Sequence, residues 1–164
     1  MKWKDHDRWA QKLGISKEVY RYVNNLIDAI AGGKTLPQEY IDFVHKESIR
    51  IAETEGSEKR AGILPIILSQ ETLKHDSARS RRTSGAIASD IQLKFLKGKG
   101  EDYVKAWYLH HALDYLYDRR YDGKSIESLF IKYEENRPVT FSREIIEFLK
   151  SNTNLEELKK DLNL

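Results

Sequence analysis

Apolar side chains return every three or four residues along most of this chain, which is the spacing of α-helices. In "SKEVYRYVNNLIDAI", Val19, Val23, Leu26, Ile27 and Ile30 follow the i, i+3, i+4, i+7 rule. Ser16 stands where a side-chain cap belongs, and Gly32-Gly33 ends the run. "TLPQEYIDFVHKESIRIAETEG" begins with Thr35 and Gln38 at capping-box spacing, carries Pro37 in its first turn and stops at Gly56. The apolar first half of "GILPIILSQETLKHD" suits a strand or a helix. Pro65 near its start, and the lack of a second convincing strand to pair with it, favour the helix. Ile87, Ile91 and Phe95 mark another helix, closed by "GKG", and a long one runs from Glu101 to about Arg120. The turn "DGKS" leads into Ser125–Tyr133, "NRP" interrupts the chain, Thr140–Lys150 follows, and Thr153 with Glu156 forms a capping box for a short last helix. The pattern therefore predicts an all-α chain of about seven to nine helices. With no repeat and no long linker, residues 1–164 are expected to form a single domain.

Composition narrows the chemistry more than the fold. The chain has 164 residues, 33% charged and 40% hydrophobic, enough to bury one core beneath a charged surface. Its longest apolar stretch, "ILPIIL", falls far short of the roughly 20 residues that cross a bilayer. "MKWKDHDRWA" lacks the apolar segment of a signal peptide, so a cytoplasmic protein with no membrane partner is expected. Without cysteine there are no disulfides, no zinc–thiolate sites and no cysteine nucleophile, so any metal must be held by His, Asp and Glu. A formal charge of +2 does not by itself mark a nucleic-acid protein. Abundant Lys, Glu, Ile and Tyr beside one Met lean toward a thermophilic source.

The candidate chemistry sits in "AWYLHHALDYLYDRR". At about 100° per residue, Val104, Tyr108, Leu109, Ala112, Leu113, Tyr115 and Leu116 share one broad apolar half, whereas Trp107, His110, His111, Asp114 and Asp118 share the other. His110 and Asp114 are four apart, as are Asp114 and Asp118, and His111 and Asp114 are three apart. Such neighbours bind one cation or orient each other, or else form an ordinary solvated face. Trp107 weighs against the solvated face, because a large aromatic there needs a cover. His45 falls within the apolar stripe of Tyr40, Ile41, Val44, Ile51 and Ala52, beside Ile49, and an inward histidine needs hydrogen-bond partners or a metal.

In chain order these residues are His45 in "HKESIRIA", His75-Asp76 in "LKHD", and His110-His111 with Asp114. Over residues 40–120 this order resembles the HD-domain superfamily of metal-dependent phosphohydrolases, all-α proteins in which a histidine, a His-Asp pair and a distant aspartate bind a divalent metal. The resemblance implies His45, His75, Asp76 and Asp114 as ligands, with His110 or His111 extending the site to a second ion. Manganese, magnesium, iron, nickel or cobalt would lower the pKa of a bound water and polarise a phosphoryl oxygen. Lys74, Arg79 or Arg82 would hold the phosphate of a nucleotide, another phosphorylated small molecule or a nucleic acid. Asp118 is as eligible as Asp114 for the last position. His6-Asp7 is a second doublet, and His6 shares a helical face with Trp9, Ala10 and Leu13.

Two other readings remain open. Residues 8–25, "RWAQKLGISKEVYRYVN" and its continuation, resemble a helix-turn-helix in which Lys17, Tyr20, Arg21 and Asn24 would reach bases or phosphates of DNA. "RSRRTSG" is a second basic stretch, and Tyr103, Tyr108, Tyr115, Tyr117 and Tyr121 form a dense aromatic group that packs internally or stacks on nucleobases. Alternatively, the chain is a non-enzymatic helical interaction protein whose histidines are structural. No Gly-x-Ser-x-Gly, Walker A or dinucleotide motif is present.

Overall fold

A computed structural model describes residues 1–28, 36–55, 84–136 and 140–164. Among these described residues the chain is all-α, with eight helices and no strand. They are α1 (Trp3–Lys12), α2 (Lys17–Asp28), α3 (Gln38–Glu55), α4 (Ser84–Lys99), α5 (Glu101–Arg119), α6 (Ile126–Asn136), α7 (Thr140–Lys150) and α8 (Asn152–Leu162). The helix expected over 62–76 lies outside the described residues.

Local chemistry accounts for most helix ends. Helix α1 closes in a Schellman arrangement, in which the Ile15 amide bonds the Ala10 carbonyl and the Gly14 amide bonds the Gln11 carbonyl. Gly14 takes φ +82°, a left-handed conformation that strains any residue bearing a Cβ. Two residues later the Ser16 hydroxyl accepts the Val19 amide and starts α2. Ser125 likewise accepts the Ser128 amide at the start of α6. The Pro37 carbonyl receives the Tyr40 and Ile41 amides beneath α3. The last helix departs from the expected Thr153 cap. It begins at Asn152, and the Ser151 carbonyl takes the Leu155 amide, while the Ser151 hydroxyl and the Asn154 amide both bond the Phe148 carbonyl. Turning the chain sharply out of α7 therefore fixes the helix start earlier than the capping box suggested.

The chain divides into two contact units, residues 1–21 with 101–164, and residues 22–100. In the first, α5 is central and packs against α1, α6 and α7, while α7 also packs against α6 and α8. Leu109, Leu113, Leu116, Leu129, Phe130, Ile145, Ile146 and Leu149 are buried there, with Trp9 from α1 and Leu158 from α8. The Trp9 ring stands edge-on to Phe148, and its Nε1–H donates to Asp161 on α8 at 2.9 Å. In the second unit α3 packs on α4, with Phe95 against Tyr40 and Phe43 at ring separations of 5.1 and 5.3 Å. Lys99 pairs with Glu39 and covers the Tyr22 ring. Among the described residues no helix is long and apolar enough to cross a membrane.

Candidate metal centre

Helix α5 is buried nearly all round. Ten of its residues are inaccessible, among them Trp107, His110 and Asp114 from the half that the wheel assigns to the polar side. The cover is α1, an amphipathic helix whose buried residues are His6, Trp9 and Ala10. His6 therefore points at the helix that carries His110 and Asp114, more than a hundred residues further along the chain.

The three side chains meet around one carboxylate. His6 Nε2 lies 3.0 Å from Asp114 Oδ1, and His110 Nε2 lies 3.1 Å from Asp114 Oδ2. The two imidazole rings are 4.3 Å apart between centroids. His6, His110 and Asp114 are 3%, 2% and 6% exposed, and their ligand atoms all lie within 4.8 Å of one another. The Met1 amino group also reaches Asp114 Oδ1, at 2.8 Å. Among the described residues His6 Nδ1 is buried without a hydrogen-bond partner.

Burial holds the His6 pKa below its ordinary value, and the adjacent His110 adds to the effect, while the hydrogen bond to Asp114 opposes it. His6 is thereby kept neutral near pH 7, the protonation state in which an imidazole binds a metal. Two imidazole nitrogens and one carboxylate oxygen are the donor set of borderline divalent cations.

This constellation differs in part from the one expected. His110 and Asp114 belong to it, and Asp118 does not, because it lies exposed one turn further along α5. The His6-Asp7 doublet splits: a helical step of 100° turns His6 inward, while Asp7 faces the Arg21 guanidinium at 3.5 Å. His111 contributes no atom to the group of three and instead stands against the Trp107 ring at 4.1 Å. His45 is exposed, not inward. Among the α3 side chains whose burial is described, Tyr40 and Val44 are buried, and Ile49, beside His45, is itself 45% exposed. His75, Asp76, Lys74, Arg79 and Arg82 lie outside the described residues.

The helix-turn-helix reading also changes. The helix pair and its Gly14 turn are present, but Tyr20 and Asn24 are buried and unable to reach a base edge. Arg21 is engaged by Asp7, and of the four proposed DNA contacts Lys17 and Arg21 are exposed.

His6 was readable from its shared face with Trp9 and Ala10, and Trp107 signalled that something covers α5. The pairing of the two surfaces was not readable from either helix alone. No protein-family model, curated protein or solved structure matches this chain, so the reading of the site rests on its own geometry.

Proposed function

We propose that this chain binds one divalent metal ion between α1 and α5 through His6, His110 and Asp114, and that it is a metal-dependent phosphoesterase. The observation that carries the proposal is the convergence of three buried donors from two helices within 4.8 Å. Three protein donors leave coordination positions for water and substrate, the pattern of reactive metal sites; structural zinc sites usually fill all four positions with protein. Two imidazoles favour manganese, iron, cobalt or nickel over magnesium, which prefers oxygen ligands. A bound divalent ion supplies an activated water and a Lewis acid for a phosphoryl oxygen. The phosphoester as substrate comes from the HD-like order of histidines and aspartates, with His6 taking the place foreseen for His45.

Burial of all three donors favours a second reading, in which the metal joins α1 to α5 without catalysis. One experiment separates the two. Protein purified without a histidine tag is analysed for bound metal, then assayed with Mn²⁺ on bis(p-nitrophenyl) phosphate and on nucleotides. Metal-dependent hydrolysis lost in Asp114→Asn supports the phosphoesterase. Stoichiometric metal with no turnover supports the structural ion. If the protein neither retains a metal nor is stabilised by one, both readings fail.

A further inference from the structure

The first turn of α1 presents Lys2, Trp3 and Lys4 to solvent, with the Trp3 side chain 39% exposed. Lys2 and Trp3 stand four and three positions before His6, on the helix face that His6 shares. Lys4, two positions before His6, stands on the opposite face. The Met1 amino group reaches Asp114 Oδ1 at 2.8 Å, so the chain beside Lys2 lies against the proposed metal centre. The carboxylates that flank His6 are directed elsewhere, Asp5 to Arg8 at 3.9 Å and Asp7 to Arg21 at 3.5 Å. Among the described residues no carboxylate pairs with Lys2, and Asp118, one turn beyond Asp114, is engaged elsewhere.

His6 itself points to a ligand. It is 3% exposed, and among the described residues its Nδ1 has no hydrogen-bond partner. A metal on Nε2 leaves the ring proton on Nδ1, and metal-bound imidazoles ordinarily donate that proton to an oxygen. A buried donor without an acceptor is costly, and an oxygen of a bound phosphate satisfies it.

We propose that the metal centre acts on nucleoside monophosphates, with Trp3 taking the base while Lys2 and His6 Nδ1–H hold the phosphate. The inference rests on the phosphoesterase reading above and narrows its substrate. An exposed indole face stacks on any base. Three residues of helix separate Trp3 from His6 by about 4.5 Å along the axis, a span that a ribose bridges. The metal donors lie too deep beneath α1 for the internal phosphates of a nucleic-acid strand to reach them. Hydrolysis forms a new P–O bond from water and breaks the ester P–O bond. The nucleoside oxygen leaves with a proton, and inorganic phosphate is released.

The probes are the phosphonate analogue of AMP, whose P–C bond resists hydrolysis, and methylphosphonate, which lacks the nucleoside. Isothermal titration calorimetry reads the affinity of each for the Mn²⁺-loaded full chain. The nucleoside should tighten binding by roughly five- to a hundredfold, the range that stacking of one base provides. Trp3→Ala should erase that advantage, and Trp3→Phe should retain most of it. Lys2→Glu should weaken both phosphonates by roughly tenfold or more, the loss of one charge-assisted hydrogen bond. Lys4→Glu, the same charge change on the opposite face, should leave both within about twofold. In steady state Trp3→Ala should raise KM for AMP with kcat unchanged, and should leave ribose 5-phosphate unaffected. Each variant should keep the wild-type metal content, which shows the centre intact. Equal affinity for the two phosphonates, an advantage that survives Trp3→Ala, equal loss in Lys2→Glu and Lys4→Glu, or cleavage of an oligonucleotide's internal bonds as fast as AMP would each overturn the inference. If metal is then bound and bis(p-nitrophenyl) phosphate is still hydrolysed, the phosphoesterase reading survives. A protein that binds no metal, or binds it and hydrolyses no phosphoester, overturns both.

Discussion

Replacing Asp114 by asparagine removes the one anion that His6 and His110 share while keeping the shape of the side chain. At metal–ligand bonds of about 2.1 Å, neighbouring donors around a cation sit about 3.0–3.4 Å apart. The two imidazoles already lie 3.0 and 3.1 Å from the two oxygens of the Asp114 carboxylate, and the 4.8 Å limit on the set means that no separation among the three donors must close by more than about 1.8 Å. A site so nearly formed spends little of its binding energy on rearrangement. A metal at a hundred times its dissociation constant stabilises the folded state by about 2.7 kcal/mol. For a chain of 164 residues that is a rise in melting temperature of roughly 5–10 °C. A neutral amide is a poor ligand for such an ion, so in Asp114→Asn the shift should fall below about 2 °C. Without metal, the variant also loses the charge-assisted contacts to His6 and to the Met1 amine, a loss of about 1–3 kcal/mol. Differential scanning fluorimetry of wild type and variant, each with EDTA and with saturating Mn²⁺ or Co²⁺, reads both effects. A wild-type protein indifferent to metal, or a variant that keeps the full shift, would refute the reasoning.

Tyr40 is fully buried, and among the described residues its hydroxyl has no hydrogen-bond partner, so Tyr40→Phe should be neutral or stabilising by up to about 1 kcal/mol in chemical denaturation. A loss above 1 kcal/mol would show that the hydroxyl is satisfied. Gly14→Ala meets no steric obstacle but must adopt φ +82°, so destabilisation by about 1–2 kcal/mol is expected, measured as a lower denaturation midpoint at unchanged slope. The Tyr22 hydroxyl, and then the Lys99 ammonium, hold the Glu39 carboxyl below its ordinary pKa. A depressed folded-state pKa gives stability that is present above the unfolded value and lost as pH falls through the folded one. Glu39→Gln should therefore flatten the decline in stability below the usual carboxylate range, and an unchanged acid limb would contradict that.

How much of this was legible in the sequence depended on how local the cause was. Ser16, Gly14 and Ser125 act on residues two to four positions away, and each forms the cap or turn that its type foretells. Thr153 is the exception, because Ser151 and Asn154 are drawn back to Phe148 at the end of the preceding helix. The direction of a side chain is a longer-range matter. His45 was placed inward from its neighbours on a wheel, but which arc of α3 is buried depends on α4, and the rings of Tyr40 and Phe43 answer Phe95 on the side away from His45. On α5 the ambiguity ran the other way. An arc with two histidines and two aspartates resembles a wet face until another helix covers it, and α1 does so with a histidine of its own. Composition alone does not show that two polar arcs far apart in sequence are complementary.

Helix α1 is held independently of any metal, and this determines how variants at the site should be read. Toward α8, Trp9 is wholly buried and donates to Asp161, Arg8 pairs with Asp161 and Glu157, and Lys12 pairs with Glu157. Toward α5, His6 meets Asp114. The partly exposed pairs contribute little each, but burial of the Trp9 ring is worth several kcal/mol, roughly 3–5 by truncation to alanine. The apolar anchor thus outweighs the polar contacts at the proposed metal site, and it fixes the register that brings His6 opposite Asp114. A change at His6 or Asp114 should leave α1 docked and alter metal affinity, whereas a change at Trp9 should undo the docking and with it the site. Reading the two classes of variant by the same metal-induced shift distinguishes a ligand from a residue that merely positions one.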